Sequence, residues 1–389
     1  MIIFGKGQNM IYFDNAATTA PIEQVKKAVA EAMEDFGNPS SLHGLGLTAQ
    51  QKVSYARKII SGALGVTDQE LFFTSGATES NNTAIFGAAN SLGKRKPKIV
   101  VSSVEHPSVA EPCSVLEERG FEVVRVHPRE NEHGERVFFA EDFVREVDDR
   151  TCLVTMMLCN NETGAVLPVA EVFRRVKKLH PDTLTHCDAV QAFMKLPVKA
   201  KKLNADMISV SGHKVHALKG IGGLYVRKGV HLPSLVFGGG QERGFRSGTE
   251  SVPLIAAFGA AVEQLSANLD ERYKHVSELS SYLRSQIAEA HPNILFNSPD
   301  GASPYVNSIA VKWLRSEVLL HYLEKREIYV SSGSACSKGK KSSVLGEFGV
   351  PDELADSTLR ISFSYMNQVN EVNTLLAALD DAGRELVSK

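Results

Sequence analysis

The sequence predicts an α/β protein whose large domain is built on a mostly parallel sheet, with a smaller α+β domain at the C-terminal end. Three observations carry that prediction. Short apolar runs alternate with helix-spaced segments through the first 230 or so positions, the pattern of strands joined by crossover helices. Clusters of Gly, Ser, Thr, His and Asp follow directly after several of those runs, where parallel sheets gather ligands. The chain also has 389 residues, more than a single domain of about 100–200 residues accounts for.

Helical spacing covers 21–35 and 46–64, before the first short strand at 71–74. A helix over 78–93 leads to a strand over 98–103, then a helix over 109–119 and a strand over 122–126. Helix 140–147, strand 152–157, helix 169–179 and strands at 184–187, 207–210 and 223–226 complete a seven-stranded set. From 253 to 290 a long helical pattern continues without Gly or Pro after Gly259, until His291-Pro292 breaks it. This helix is expected to bridge a large domain over 16–263 and a small one formed by 1–15 and 264–389. Residues 1–9, before the first strand Ile11-Tyr-Phe-Asp14, read as a loose leader or a start-site ambiguity.

Composition narrows the function classes. The chain is 43% apolar and 23% charged with a formal net charge of −2, which argues against nucleic acid as its principal partner. No apolar run approaches the roughly 20 residues that span a bilayer, and the N-terminus lacks the pattern of a secretory signal. Five cysteines at irregular spacing, without a CxxC pair, fit neither a zinc site nor a disulfide framework, and no metal is expected. A reducing, cytoplasmic setting suits them. Cys152, Cys159 and Cys187 lie in apolar runs and are expected to be buried.

Cys336 differs. It sits in Ser331-Ser-Gly-Ser-Ala-Cys-Ser-Lys-Gly-Lys340, among small and cationic residues that offer nothing to bury it. Lys338, Lys340 and Lys341 favour its thiolate, the nucleophilic form.

Other chemistry-bearing groups stand at strand ends. Met207-Ile-Ser-Val210 runs straight into Ser211, Gly212, His213 and Lys214. A lysine at the mouth of a buried strand can lose its charge by desolvation, and a neutral amine can form a Schiff base. A surface lysine in a turn is the plainer alternative. Strand 184–187 ends in Asp188, a carboxylate that needs a partner once buried. A pyridinium nitrogen is such a partner, and an Asp/Lys combination suits pyridoxal phosphate; a helix cap is the alternative role. Gln191 follows within reach of a phenolic oxygen. Phe73-Thr-Ser-Gly-Ala-Thr-Glu-Ser80 passes from strand through Gly76 into a helix whose free N–H groups, with the Thr78 hydroxyl, suit a phosphate. His106, in Glu105-His-Pro-Ser108, could stack on a flat ring and handle protons near neutral pH; a partly buried structural histidine is the alternative. The glycine-rich stretches lack the strand–glycine–helix order of a dinucleotide site.

Taken together, FDNAATT (13–19), FGNPSSLHG (36–44), FTSGATES (73–80), EHPSV (105–109), NNETG (160–164), DAVQ (188–191), SGHK (211–214), GGGQERGFRSGT (238–249), SSGSAC (331–336) and LRISFS (359–364) resemble the cysteine desulfurases. These are the NifS/IscS-like, class V aminotransferase branch of the fold-type-I pyridoxal-phosphate enzymes. The motifs occur in order from about residue 11 to 365. His216-Ala-Leu-Lys219 stands where the family more often has a Gly-Pro pair, and the stretch from Cys336 to Val344 is shorter than in the commonest members.

The resemblance implies roles residue by residue. Lys214 carries the cofactor and moves protons, Asp188 faces the pyridine nitrogen, His106 stacks on the ring and Gln191 bonds the phenolic oxygen. Ala77, through its backbone, with Thr78, Ser211 and His213, grips the phosphate, and Thr249 reaches the phosphate of the other subunit in a homodimer. Asn161 and Arg360 bind near the substrate carboxylate, the guanidinium as a two-pronged donor. Cys336 takes sulfur from L-cysteine as a persulfide, releasing L-alanine, and passes it to an acceptor protein of iron–sulfur assembly or thiolation. A selenocysteine lyase or aminotransferase of the same fold, or a non-catalytic sulfur-relay subunit, are the alternatives. An aminotransferase has no use for Cys336, and a non-catalytic subunit has no need of Lys214 or Asp188.

Overall fold

The structure, a computed structural model, describes residues 10–312, 314–333 and 343–387. Its elements run β1 (Ile11–Tyr12), α1 (Glu23–Glu34), α2 (Gly44–Leu64), β2 (Leu71–Thr74), α3 (Ala77–Leu92), β3 (Lys98–Ser102), α4 (Pro107–Glu118) and β4 (Glu122–Val126). A two-strand ribbon, β5 (Arg129–Glu130) and β6 (Arg136–Val137), precedes α5 (Ala140–Glu146), β7 (Thr151–Met157), α6 (Val169–Leu179) and β8 (Leu184–Asp188). Next come α7 (Ala200–Leu203), β9 (Met207–Ser211), β10 (Gly222–Val226), α8 (Val252–Ser266) and α9 (Leu269–Ala290). The chain closes with β11 (Ile294–Phe296), β12 (Val306–Val311), α10 (Ser316–Glu324), β13 (Ile328–Tyr329), β14 (Ser331–Ser332), α11 (Ser343–Glu347), α12 (Asp352–Ala355), β15 (Thr358–Ser362) and α13 (Val369–Val387).

Seven strands form one sheet in the order β2-β10-β9-β8-β7-β3-β4. Only β10 runs against its neighbours, β2 and β9; β9, β8, β7, β3 and β4 pair in parallel. The apolar runs were continuous because both faces are covered. Val100, Val154, Ile208 and Val210 face one core with α1, α2, α5, α6 and α8. Their chain neighbours Ile99, Val101, Leu153 and Met207 face another with α3 and α4. That alternation is the period-2 geometry of a strand.

A second sheet, β11-β12-β15-β14, is antiparallel. Its core joins α9, α10 and α13 with Ile11 and Phe13 from the other end of the chain. β1 pairs with β13, and Asp14 bridges to Ser362.

The helix expected over 253–290 is two helices. α8 and α9 meet at a 77° bend, with Asn268 in a non-helical conformation. Arg272 donates to the carbonyls of Gln264 (2.9 Å) and Leu265 (2.6 Å), satisfying the end of α8. Apolar spacing continues across such a joint, so periodicity alone does not reveal it. No single helix among the described residues is long and apolar enough to cross a membrane.

Candidate active site

The parallel strands bring their carboxyl ends to one edge of the large sheet. Asp188 ends β8, Ser211 ends β9, His106 follows β3 and Asn161 follows β7. β2, antiparallel to β10 as β9 is, delivers Gly76 and the start of α3 to that same edge.

Asp188 is buried. Its Oδ2 accepts from Asn81 Nδ2 at 2.8 Å, and its Oδ1 accepts from the Val190 N–H at 3.0 Å. The second bond is the cap-like role that a strand-end Asp invites, and it leaves the carboxylate held from two sides. Asn81 Nδ2 also donates to Ser108 Oγ at 2.8 Å, while Asn81 Oδ1 is buried without a hydrogen-bond partner.

His106 caps α4: its Nδ1 accepts from the Ser108 N–H at 3.1 Å and lies 2.8 Å from Ser108 Oγ. Burial holds the ring's pKa below its ordinary value; the Asp188 charge opposes that shift and the Lys214 charge adds to it.

Lys214 ends the single helical turn Gly212–Lys214 that follows β9. Its Nζ donates to the carbonyls of Ala16 (2.6 Å) and Ala17 (2.8 Å). Gln191 Nε2 donates to the same Ala16 carbonyl at 2.9 Å. His213 Nδ1 stands 3.3 Å from Thr18 Oγ1. Burial first, then nearby lysines, push its pKa down to about 4, so it is neutral at pH 7. The turn after it holds a left-handed residue: His216 adopts φ 61°, with its N–H donating to Thr19 Oγ1 at 2.6 Å and its Nδ1 2.9 Å from the Ala20 carbonyl.

The start of α3 is open. Ala77 is its first residue, Thr78 is exposed, and Ser75 N–H donates to Glu79 Oε2 at 2.8 Å. Gly222 on β10 makes that approach possible, since a Cβ there would stand 2.7 Å from Gly76 Cα.

The expected carboxylate site joins the two sheets. Arg360 on β15 is buried; it donates through Nη1 to the Asn161 carbonyl (3.0 Å) and through Nη2 to Asp14 Oδ1 (2.9 Å). Its Nε is buried with no hydrogen-bond partner. Gly164 closes the Asn160–Gly164 turn at φ 76° and packs so tightly on β12 that a Cβ would lie 2.6 Å from the Val306 carbonyl oxygen.

Cys336 lies outside the described residues. The chain enters its segment from β14, where Ser331 is in register with Arg360. Thr249 is exposed, on the loop that Arg246 ties to Glu79 at the start of α3 (2.8 Å). Cys113, Cys152, Cys159 and Cys187 are buried and unbridged, and burial raises each thiol's pKa, to about 12, 12 and 11 for the first three. None of these four is a nucleophile. Among the described residues no cluster of His, Cys, Asp and Glu could hold a metal ion.

The donor set fits pyridoxal phosphate. A buried carboxylate, an imidazole, an amine and an open helix start line one edge, with a buried amide oxygen and a guanidinium N–H left unpaired beside them.

The aminotransferase class-V family matches residues 11–375 of this sequence. The chain belongs to that family. Like other class-V aminotransferase members it is an enzyme, and its relatives place it with the cysteine desulfurases. It is 36% identical over 383 residues to the cysteine desulfurase IscS of Methanosarcina thermophila, covering 97% of this chain and 92% of that one. A solved NifS-like protein superposes with a TM-score of 0.89 at 37% identity, over 96% of this chain and 99% of the other. The structure of SspA in complex with cysteine matches at a TM-score of 0.80 and 32% identity, over 92% and 100%. The enzymes of this family work with pyridoxal phosphate.

Three neighbours escaped the sequence reading. Asn81 is one turn beyond Thr78, a polar residue on a helix whose other buried positions are mostly small. Glu105 stood beside His106 in plain view; its Oε1 accepts from Ser102 Oγ and from the Met157 N–H at 2.7 Å, tying β3 to β7. Lys195, four residues after Gln191, is buried.

Proposed function

We propose that this class-V aminotransferase desulfurates L-cysteine to L-alanine on one pyridoxal phosphate held at the sheet edge, with Cys336 as the sulfur acceptor. The convergence of Asp188, His106 and Lys214 carries the reading: the Asn81 amide ties Asp188 to Ser108 beside His106, and Lys214 Nζ and Gln191 Nε2 donate to one carbonyl, that of Ala16. SspA, 32% identical, was solved with cysteine bound, which supports the substrate.

Bound pyridoxal phosphate supplies an electron sink for charge that develops at the substrate Cα. Asp188 presents a carboxylate to the ring nitrogen, held in place by Asn81 and the Val190 N–H. His106 would cover the ring, and Gln191 would offer a donor to its phenolic oxygen. Ala77 N–H, Thr78, Ser211 and His213 would hold the phosphate at the start of α3. Arg360 and Asn161 bind the substrate carboxylate, with the unpaired Nε as a further donor. Lys214 Nζ takes the Cα proton and returns one to the product.

The Cys336 thiolate attacks the substrate sulfur. An S–S bond forms, the Cβ–S bond breaks with its electron pair staying on carbon, and protonation there yields the methyl group of alanine. The enzyme keeps a persulfide, which a second protein of iron–sulfur assembly or thiolation collects.

A homodimer completes the site in this reading. Phe36, Leu42, Leu45, Leu47 and Phe237 are exposed apolar side chains that a second copy would cover. Phe237 lies on the loop that carries Thr249, the residue assigned to the other subunit's phosphate. We assign the large domain to 16–263 and the small one to 1–15 and 264–389. The cytoplasm, which keeps thiols reduced, is the proposed location.

The test is direct. The purified protein with pyridoxal phosphate and L-cysteine should form alanine and a persulfide on Cys336, seen by mass spectrometry. A preparation that binds the cofactor and turns over selenocysteine but not cysteine defeats the assignment.

A further inference from the structure

Lys195 is a buried cation that the mechanism does not use. It lies inside the large domain on the stretch that follows β8, where Met194 adopts φ 57°. That left-handed conformation is costly for a residue with a Cβ. Here it turns the chain so that Lys195 points inward beside Gln191. Lys195 Nζ donates to Gln191 Oε1 at 3.4 Å and stands 5.9 Å from the centre of the Tyr305 ring. Together with Lys214 it lines a narrow cavity of about 20 Å³. Burial lowers its pKa to about 8, yet its amine is a donor in either charge state.

The amide of Gln191 is thereby clamped at both ends. Its oxygen faces an amine. Its Nε2 donates to the Ala16 carbonyl, which can only accept, and which also accepts from Lys214 Nζ. A flipped amide would set two donors against each other at Lys195 and two oxygens against each other at Ala16. Nε2 has a second hydrogen that the Ala16 bond leaves over.

We infer that Lys195 is a positioning residue: it fixes the Gln191 amide so that an N–H, and not an oxygen, faces the phenolic oxygen of the cofactor. The inference rests on the reading of Gln191 as that oxygen's donor, and it deepens it. Without Lys195 the amide can turn, presenting an acceptor where the bound ring needs a donor.

The test follows the pH dependence of cofactor absorbance in the holoenzyme for wild type, Gln191→Ala, Lys195→Met, the double variant and Lys195→Arg. A hydrogen bond to a charged oxygen is worth enough to move such a midpoint by about one pH unit. Gln191→Ala and Lys195→Met should move it in the same direction by about that amount. The double variant should move it no further than Gln191→Ala alone, and Lys195→Arg should restore most of the wild-type value. A Lys195→Met midpoint equal to wild type, or a double variant that sums the two shifts, overturns the role given to Lys195 while leaving Gln191 in place. A Gln191→Ala midpoint equal to wild type overturns the Gln191 reading and this inference with it. Should Lys195→Met fail to fold, Lys195→Gln decides: with the amine gone the holoenzyme midpoint should move as in Gln191→Ala, and a wild-type midpoint ends the proposal.

Discussion

Asn81 Nδ2 lies 2.8 Å from Asp188 Oδ2 and 2.8 Å from Ser108 Oγ, so a single amide on α3 links the buried carboxylate to the cap of the helix that begins after His106. Hydrogen bonds to charged groups contribute about 1.5–3 kcal/mol. Asn81→Ala should therefore weaken pyridoxal phosphate binding by roughly tenfold or more, measured by titrating apoenzyme with cofactor and following absorbance. Unchanged affinity would mean that Asp188 needs no support from α3.

Cys336 and Lys214 should separate cofactor binding from sulfur transfer. Cys336→Ser is expected to keep the yellow cofactor and bind cysteine, while alanine release and persulfide formation collapse. Lys214→Ala should lose the cofactor band of the resting enzyme. Normal sulfide production by Cys336→Ser would remove that thiol from the mechanism.

Gly222 is tested by giving it a side chain. The nearest atoms to a new Cβ are backbone atoms of Gly76 at 2.7 Å, which cannot rotate away. Gly222→Ala should cost about 1–3 kcal/mol of stability by overpacking. It should also weaken the cofactor's hold on the start of α3. Denaturant unfolding and cofactor titration read the two effects separately.

A buried ion pair anchors the loop that presents Thr249. Arg57 meets Glu242 through two hydrogen bonds of 2.8 and 2.7 Å, and Glu242 Oε2 also accepts from the Phe73 N–H at 2.9 Å. Glu242 and Arg243 adopt φ 48° and 57°, a strained turn that this clasp holds in place. Breaking a buried pair from one side costs about 3–5 kcal/mol. Arg57→Met should destabilise the protein by that amount, read from the midpoint of denaturant unfolding. A loss under 1 kcal/mol would show that the loop holds itself.

Two buried groups should tilt stability with pH in opposite directions. Burial pushes the Glu105 carboxyl up to about 8, with Asp188 adding to the rise. The folded state thus keeps a proton that the unfolded chain releases above about 4.5; that contribution is complete below 4.5 and fades as pH rises toward 8. His186, held between Thr155 Oγ1 (2.8 Å) and Ser209 Oγ (2.9 Å), is pushed down to about 3 by burial. Its contribution is complete above about 6.5 and is lost as pH falls toward 3. Glu105→Gln should accordingly raise the apoprotein melting temperature at pH 8 relative to wild type and leave the acid-side loss in place. An unchanged difference between pH 5 and pH 8 would show that Glu105 does not titrate there.

Much of this protein was legible from order and pattern along the chain. Alternating apolar runs determined the seven strands and their crossover helices, because a strand covered on both faces must be apolar at consecutive positions. The strand-end positions of Asp188, Lys214 and His106 were legible for a related reason: parallel strands must deliver their carboxyl ends to one edge. Tertiary structure alone decided what holds those groups. Asn81, Glu105 and Lys195 act across elements that are far apart in sequence or turned by a left-handed residue. The break between α8 and α9 is likewise fixed by Arg272 reaching back to two carbonyls. Local pattern reports which face a residue shows to a core. It does not report which polar atom meets which, because that depends on distances set only when the sheets and helices have packed.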